Sequence, residues 1–168
     1  MIGTETTTTR ANRTVGISEM IVERDTENVI VTYSLGSCLG VAVYDPVARV
    51  GDMIHCMLPL SKIDPAKAQA MPAMFVDTGI PTLLQACFDL GADSKRLRLS
   101  VAGAGSPLDD NHVFNIGDRN LAVLRKILWK NSLLIAAEDT GGSEPRTLYL
   151  EMKTGEVYLK ARGDRRAL

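Results

Sequence analysis

Residues 39–58 read LGVAVYDPVARVGDMIHCML, two apolar runs on either side of Asp45-Pro46-Val47-Ala48-Arg49, and this stretch decides the fold class. The runs read as the two arms of a hairpin, with Asp45-Pro46-Val47-Ala48-Arg49 supplying turn chemistry. A β-hairpin follows. If Asp45 pairs with Val50, Leu39 stands opposite Cys56, Gly40 opposite His55 and Cys38 opposite Met57. Cys38 and His55 then share one face on a diagonal, about 6 to 8 Å apart between backbone centres. A slip of one residue destroys the agreement.

Upstream, Val15 to Val22 and Val29 to Tyr33 read as strands, followed by Leu35-Gly36-Ser37-Cys38-Leu39-Gly40, a glycine-flanked bend between apolar runs. Downstream, Pro59 closes the hairpin and Ser61 to Gln69 reads as a loop with a helical turn. A helix follows with Pro81 near its start, where a missing N–H is tolerated. Leu83, Leu84, Cys87 and Leu90 line one face before Gly91 stops it. Leu97 to Ala102 reads as a strand leading into the bend Gly103-Ala104-Gly105-Ser106-Pro107, and Leu108 to Asn115 as a polar loop holding His112. A second helix is expected over about Gly117 to Lys130, with Leu121, Leu124, Ile127 and Leu128 as its buried stripe. Leu133 to Ala137 reads as a strand, delivering the chain into Asp139-Thr140-Gly141-Gly142-Ser143, and Thr147 to Glu151 with Glu156 to Lys160 as a closing hairpin. Eight strands and two long helices in mixed order give an α/β (α+β) domain whose sheet is not simply parallel.

Residues 1–14, with Thr6-Thr7-Thr8-Thr9 and little apolar content, read as a mobile arm. Residues 15–161 then form a single domain and residues 162–168 a C-terminal tail. The chain has 168 residues, 45% of them apolar, enough for one sizeable core. Its 19 basic and 20 acidic residues leave a net charge of -1, without the basic stripe of a nucleic-acid binder. No run approaches the roughly 18 apolar residues of a membrane helix, and the start lacks a signal peptide's segments, so the expected location is cytoplasmic. Cys38, Cys56 and Cys87 form no disulfide framework and no Cys-x-x-Cys pair. The two histidines, His55 and His112, do not suggest a metal centre, because His55 and Cys56 are neighbours on a strand and point to opposite faces. No cofactor is implied.

The bend around Cys38 suits a nucleophile, which needs an exposed sulfur and free backbone N–H groups beside it; burial as a structural thiol is the alternative. His55 can take the thiol proton near neutral pH, or can be a satisfied polar residue in an apolar strand. Thr32 is one candidate to hold the ring, with Asp45, Asp52 and Asn111 as others. Gly36, Ser37 and Cys38 can present an anion-binding nest. His112 reads as a surface residue. The loops at Gly103 and Gly105 and at Gly141-Gly142 line a cleft if they share the Cys38 side, and Arg146 and Asn120 either position substrate or tie loops to helices.

The stretch from Thr32 to Pro59, with its Leu-Gly-Ser-Cys element, Tyr-Asp-Pro turn and Met-Leu-Pro end, resembles the CheD family of bacterial chemoreceptor glutamine deamidases. Ile116-Gly117-Asp118-Arg119-Asn120, Gly141-Gly142 followed by Arg146, and Thr154-Gly155-Glu156-Val157-Tyr158-Leu159-Lys160 extend the resemblance over residues 15 to 161. Gly103-Ala104-Gly105 and Pro145 depart from the family's usual pattern. The resemblance implies Cys38, His55 and Thr32 as catalytic residues and a multilayer sandwich of mixed β-sheets with helices outside, similar to the catalytic domain of deamidating cytotoxins. It implies hydrolysis of glutamine side chains on the cytoplasmic helical part of chemotaxis receptors, through a cysteine thioester with release of ammonia. It also implies the CheC phosphatase as a partner, and a monomer is expected. A CheC-binding module with little catalysis, a Cys-His peptidase and a transglutaminase are the alternative classes.

Overall fold

The hairpin of residues 39–58 lies at the centre of a sheet. In the computed structural model, which describes residues 10–106 and 114–168, β4 (Leu39–Asp45) and β5 (Val50–Cys56) pair antiparallel in the expected register, from Asp45 opposite Val50 to Leu39 opposite Cys56. Asp45 builds the turn. Its carboxylate accepts from Val47 N at 2.8 Å, Ala48 N at 3.1 Å, Asp93 N at 2.9 Å and the Arg96 guanidinium at 2.9 Å. Burial opposes ionisation of this group, but Arg96 and the backbone amides outweigh it and hold the carboxyl well below its usual range.

Around the hairpin, β2 (Met20–Glu23), β6 (Arg98–Gly103) and β7 (Ile135–Thr140) complete a sheet of order β2-β5-β4-β6-β7, in which only β6 and β7 run parallel. A second sheet has the order β1-β3-β8-β9-β10, from β1 (Asn12–Thr14), β3 (Val29–Leu35), β8 (Arg146–Glu151), β9 (Val157–Ala161) and β10 (Asp164–Ala167), with β1 parallel to β3. Both sheets are mixed. The helices are α1 (Pro65–Ala70), α2 (Val76–Asp89) and α3 (Ile116–Lys130).

Alternation along β4 explains the layering. Leu39, Val41 and Val43 pack with Ile80, Leu83 and Cys87 of α2 and Leu124 and Leu128 of α3. Ala42 and Tyr44 turn the other way, against Ile30, Leu148 and Leu150 of the second sheet. The domain is therefore an α+β sandwich of three layers: helices, the β4 sheet, and the β3 sheet. Each fully buried Leu or Ile contributes about 1.5–3 kcal/mol. Among the described residues no helix is long and apolar enough to cross a membrane.

Four local expectations differ from the structure. Val15 to Val22 is not one strand: Val15 N bonds Val31 O in one sheet, Ser18 N bonds His55 O in the other, and the chain crosses between them at Gly16-Ile17-Ser18. Pro81 lies inside α2, which starts earlier because Val76 and Ile80 are buried. Their burial, about 1.5–3 kcal/mol each, offsets the roughly 3 kcal/mol of an interior proline. Asn12–Thr14, read as part of the arm, is β1, drawn in by pairing with β3 rather than by apolar content. The segment 162–168, read as a tail, holds β10: Arg165 sits 3.5 Å over the Tyr158 ring and Arg166 pairs with Asp139.

Candidate active site

The loop Gly36-Ser37-Cys38 joins β3 to β4, and all three of its carbonyls are held. Gly105 N donates to Gly36 O and Ala104 N to Cys38 O, each at 2.8 Å, and Asn120 Nδ2 donates to Ser37 O at 3.1 Å. Among the described residues the amides of Gly36 and Ser37 donate to no protein acceptor. Fixed carbonyls and free N–H groups beside a thiol are what an anion-binding nest requires.

The neighbouring glycine loops brace this one. Gly141 N donates to Gly103 O at 3.0 Å and Ser106 N to Gly142 O at 2.7 Å, so three strand ends continue hydrogen bonding past the sheet. Gly103 has φ +94°, and a Cβ there would lie 2.3 Å from Cys38 O. A Cβ on Gly105 would meet Gly142 O at 2.9 Å and Gly36 O at 3.1 Å. Only backbone without side chains packs this closely. Arg146, itself buried, donates through Nε to Asp139 Oδ1 at 2.7 Å and also reaches Gly103 O and Gly141 O. These contacts join the ends of β6 and β7.

His55 is fully buried on β5, on the face turned toward the second sheet. Its backbone is held by the segment leading into β2, with its N–H on Glu19 O at 3.0 Å and its carbonyl on Ser18 N at 2.9 Å. The Thr32 hydroxyl, from β3 of the opposite sheet, lies 2.7 Å from His55 Nδ1 and 2.8 Å from Val15 O. A hydroxyl has one proton, and a backbone carbonyl can only accept. Thr32 therefore donates to Val15 O and accepts from Nδ1–H, which leaves Nε2 as the unprotonated nitrogen. Among the described residues, Nε2 is buried without a partner.

Cys38 is half-buried and packs in the same inter-sheet layer. The β4–β5 register ends at Leu39, one residue short of the sulfur, and no hydrogen bond joins sulfur to ring in this conformation. Burial pushes the Cys38 thiol above its ordinary value, partly offset by its own amide, and burial pushes the His55 imidazole below its own. Both shifts favour the uncharged forms, thiol and imidazole.

The remaining candidates separate. Asp45 belongs to the turn at the far end of the hairpin, and Asp52 faces the helices, where the Cys87 thiol donates to its Oδ2. Cys56 and Cys87 are buried in the helix-side core. Asn111 and His112 lie outside the described residues. Asn120, fully buried on α3, donates to Met57 O at 3.3 Å as well as to Ser37 O. Sequence reasoning had no means of finding the Val15 carbonyl, since a backbone acceptor has no residue signature. The same holds for Asp139 as the anchor of Arg146.

A family model described as CheD chemotactic sensory transduction matches residues 57–161, C-terminal to Thr32, Cys38 and His55. The chain is 49% identical over 149 residues to a probable chemoreceptor glutamine deamidase CheD 1 of Syntrophus aciditrophicus, covering 89% of this chain and 93% of that protein. It is 46% identical over 154 residues to a probable chemoreceptor glutamine deamidase CheD of Solibacter usitatus, covering 92% and 91%. Alignments of that length cannot avoid the stretch from Thr32 to His55. A crystal structure of the hypothetical protein YfiH of Bacillus licheniformis aligns at a TM-score of 0.41 and 14% identity, covering 74% of this chain and 49% of that one.

Proposed function

The chain belongs to the CheD family, and from that premise we propose that it hydrolyses glutamine side chains of chemoreceptors to glutamate with Cys38 as nucleophile, His55 as general base and acid, and Thr32 as the group that orients the ring. The observation that carries this reading is the Thr32 hydroxyl on His55 Nδ1, which leaves Nε2 without a partner among the described residues.

The reaction follows from that geometry. His55 Nε2 takes the Cys38 proton, and the sulfur attacks the carboxamide carbon of the substrate side chain. The amides of Gly36, Ser37 and Cys38 receive the oxyanion. As the tetrahedral adduct collapses, Nε2–H protonates the departing nitrogen, the C–N bond breaks, and ammonia leaves behind a thioester. Neutral Nε2 then draws a proton from water, whose oxygen attacks the thioester carbon; the C–S bond breaks and the thiol is restored. Throughout, Thr32 accepts from Nδ1–H and so stabilises the transient imidazolium. Only water is consumed, so no cofactor is required.

Each event exchanges a neutral amide for a carboxylate, which alters charge repulsion along a helical receptor bundle. Cytoplasmic location and a monomeric state belong to the same proposal, as does binding of a CheC phosphatase, which the family resemblance supports. Incubation with a receptor cytoplasmic fragment tests the reading: ammonia and the mass gain of a Gln-to-Glu conversion are expected, and neither with Cys38→Ala. Deamidation undiminished by Cys38→Ala overturns the mechanism. CheC binding is measured separately, and its survival in Cys38→Ala is expected of a distinct interaction surface.

A further inference from the structure

The β4–β5 ladder ends at the pair Leu39 and Cys56, one residue short of the sulfur on one arm and one beyond the imidazole on the other. Past that point the arms part. Gly36 and Cys38 hand their carbonyls to Gly105 and Ala104, while Met57 N and Leu58 N turn away to Met74 O at 2.9 and 3.0 Å. Nothing in the ladder itself then fixes how far the sulfur loop stands from the end of the histidine strand.

Asn120 spans the gap. Its two amide protons go to Ser37 O at 3.1 Å and Met57 O at 3.3 Å, the carbonyl immediately before Cys38 and the one closing the His55 arm. The side chain is fully buried, and its base is rigid: a Cβ on Gly117, at the start of α3, would lie 2.3 Å from Gly105 O, so the helix rests directly on the loop that holds Gly36. The carboxamide uses only its donor half; among the described residues Oδ1 is buried without a partner. A buried unpaired acceptor is destabilising, and the geometry that the donor half imposes is the compensating gain.

We infer that Asn120 is a positioning residue that sets the separation of the Cys38 sulfur from His55 Nε2, an inference that rests on the deamidase reading above. Displacement of reacting groups by about 1 Å can cost 10²-fold in rate. Asn120→Ala therefore lowers kcat by about that factor, with KM little changed because substrate binding does not pass through this side chain.

The deciding measurement is the alkylation rate of Cys38 by iodoacetamide in the whole protein, which needs no receptor. His55→Ala slows alkylation in the native background and has no further effect in the Asn120→Ala background, because there the imidazole no longer reaches the sulfur. An equal slowing in both backgrounds overturns the role of Asn120 alone. No slowing in either overturns the Cys38–His55 pair, and the Asn120 proposal with it. Asn120→Ser and Asn120→Leu repeat the cycle where the alanine variant does not fold. A merely structural role lowers the melting temperature and leaves the coupling between His55 and Cys38 intact.

Discussion

The Thr32 hydroxyl stands 2.7 Å from His55 Nδ1 while its own proton goes to Val15 O at 2.8 Å, and so a residue of one sheet selects the tautomer of a histidine on the other. Thr32→Val keeps the shape and removes the acceptor, leaving a buried N–H unpaired at a cost of about 1–3 kcal/mol. The ring can then carry its proton on Nε2, where it no longer serves as a base. A fall in kcat of about 10²-fold is expected, with Thr32→Ser retaining most of the native rate. Ammonia release checks the rate and thermal melting the stability; equal loss in both variants would show that the methyl, not the hydroxyl, matters.

The acid limb of the activity profile follows from burial of the imidazole, which lowers its pKa from the ordinary 6.5. Catalysis needs neutral Nε2, so kcat/KM should hold as pH drops through that ordinary value and decline only below it. Stability moves in the same window. The unfolded chain takes up a proton near the ordinary value and the folded one does not, so stability falls as pH drops from there toward the lowered folded value. Profiles of kcat/KM and of urea midpoint against pH check the two signs, and a limb above the ordinary value would contradict the first.

Gly103→Ala should act on the nucleophile without touching it. The added Cβ would lie 2.3 Å from Cys38 O, at a φ of +94° that side chains rarely adopt. Something must move, and the Ala104–Cys38 and Gly105–Gly36 bonds, each 2.8 Å, are what resist. The expected outcome is a folded protein of lower melting temperature whose deamidation rate falls by about 10²-fold or more. Native activity in this variant would mean that the loop shifts without consequence for Cys38.

The hairpin was legible because its register is set by one turn: Asp45 opposite Val50 carries His55 opposite Gly40 and Cys56 opposite Leu39 without further information. Thr32 was only one of several candidates for the third group, because strand alternation says which face a residue takes but not which sheet lies over it. Asp52 has the same chemistry as a plausible orienting carboxylate, yet its place on β5 turns it toward the helices. The strands β1 and β10 were illegible for a different reason. Both are exposed throughout and are held by backbone pairing and by contacts such as Arg165 on Tyr158, which leave no periodic apolar signal.

Asp52 supplies the last prediction, one of stability. It is fully buried between β5 and α2, with the Cys87 thiol donating to Oδ2 and with Oδ1 unpartnered. Desolvation raises its pKa well above the ordinary carboxyl value, because no cation or network of amides compensates a charge there. The folded state therefore keeps a proton that the unfolded chain gives up above about 3.9. Stability contributed by this group is fullest below that value and is lost as pH rises toward the raised one. Asp52→Asn has the same shape and no titration, and its amide oxygen can still accept from Cys87. The variant should melt higher than the native protein near about pH 8, with the difference shrinking toward about pH 5, while deamidation is unchanged because the side chain faces away from Cys38. Parallel melting profiles for the two proteins over that range would show that the carboxyl does not hold its proton in the fold.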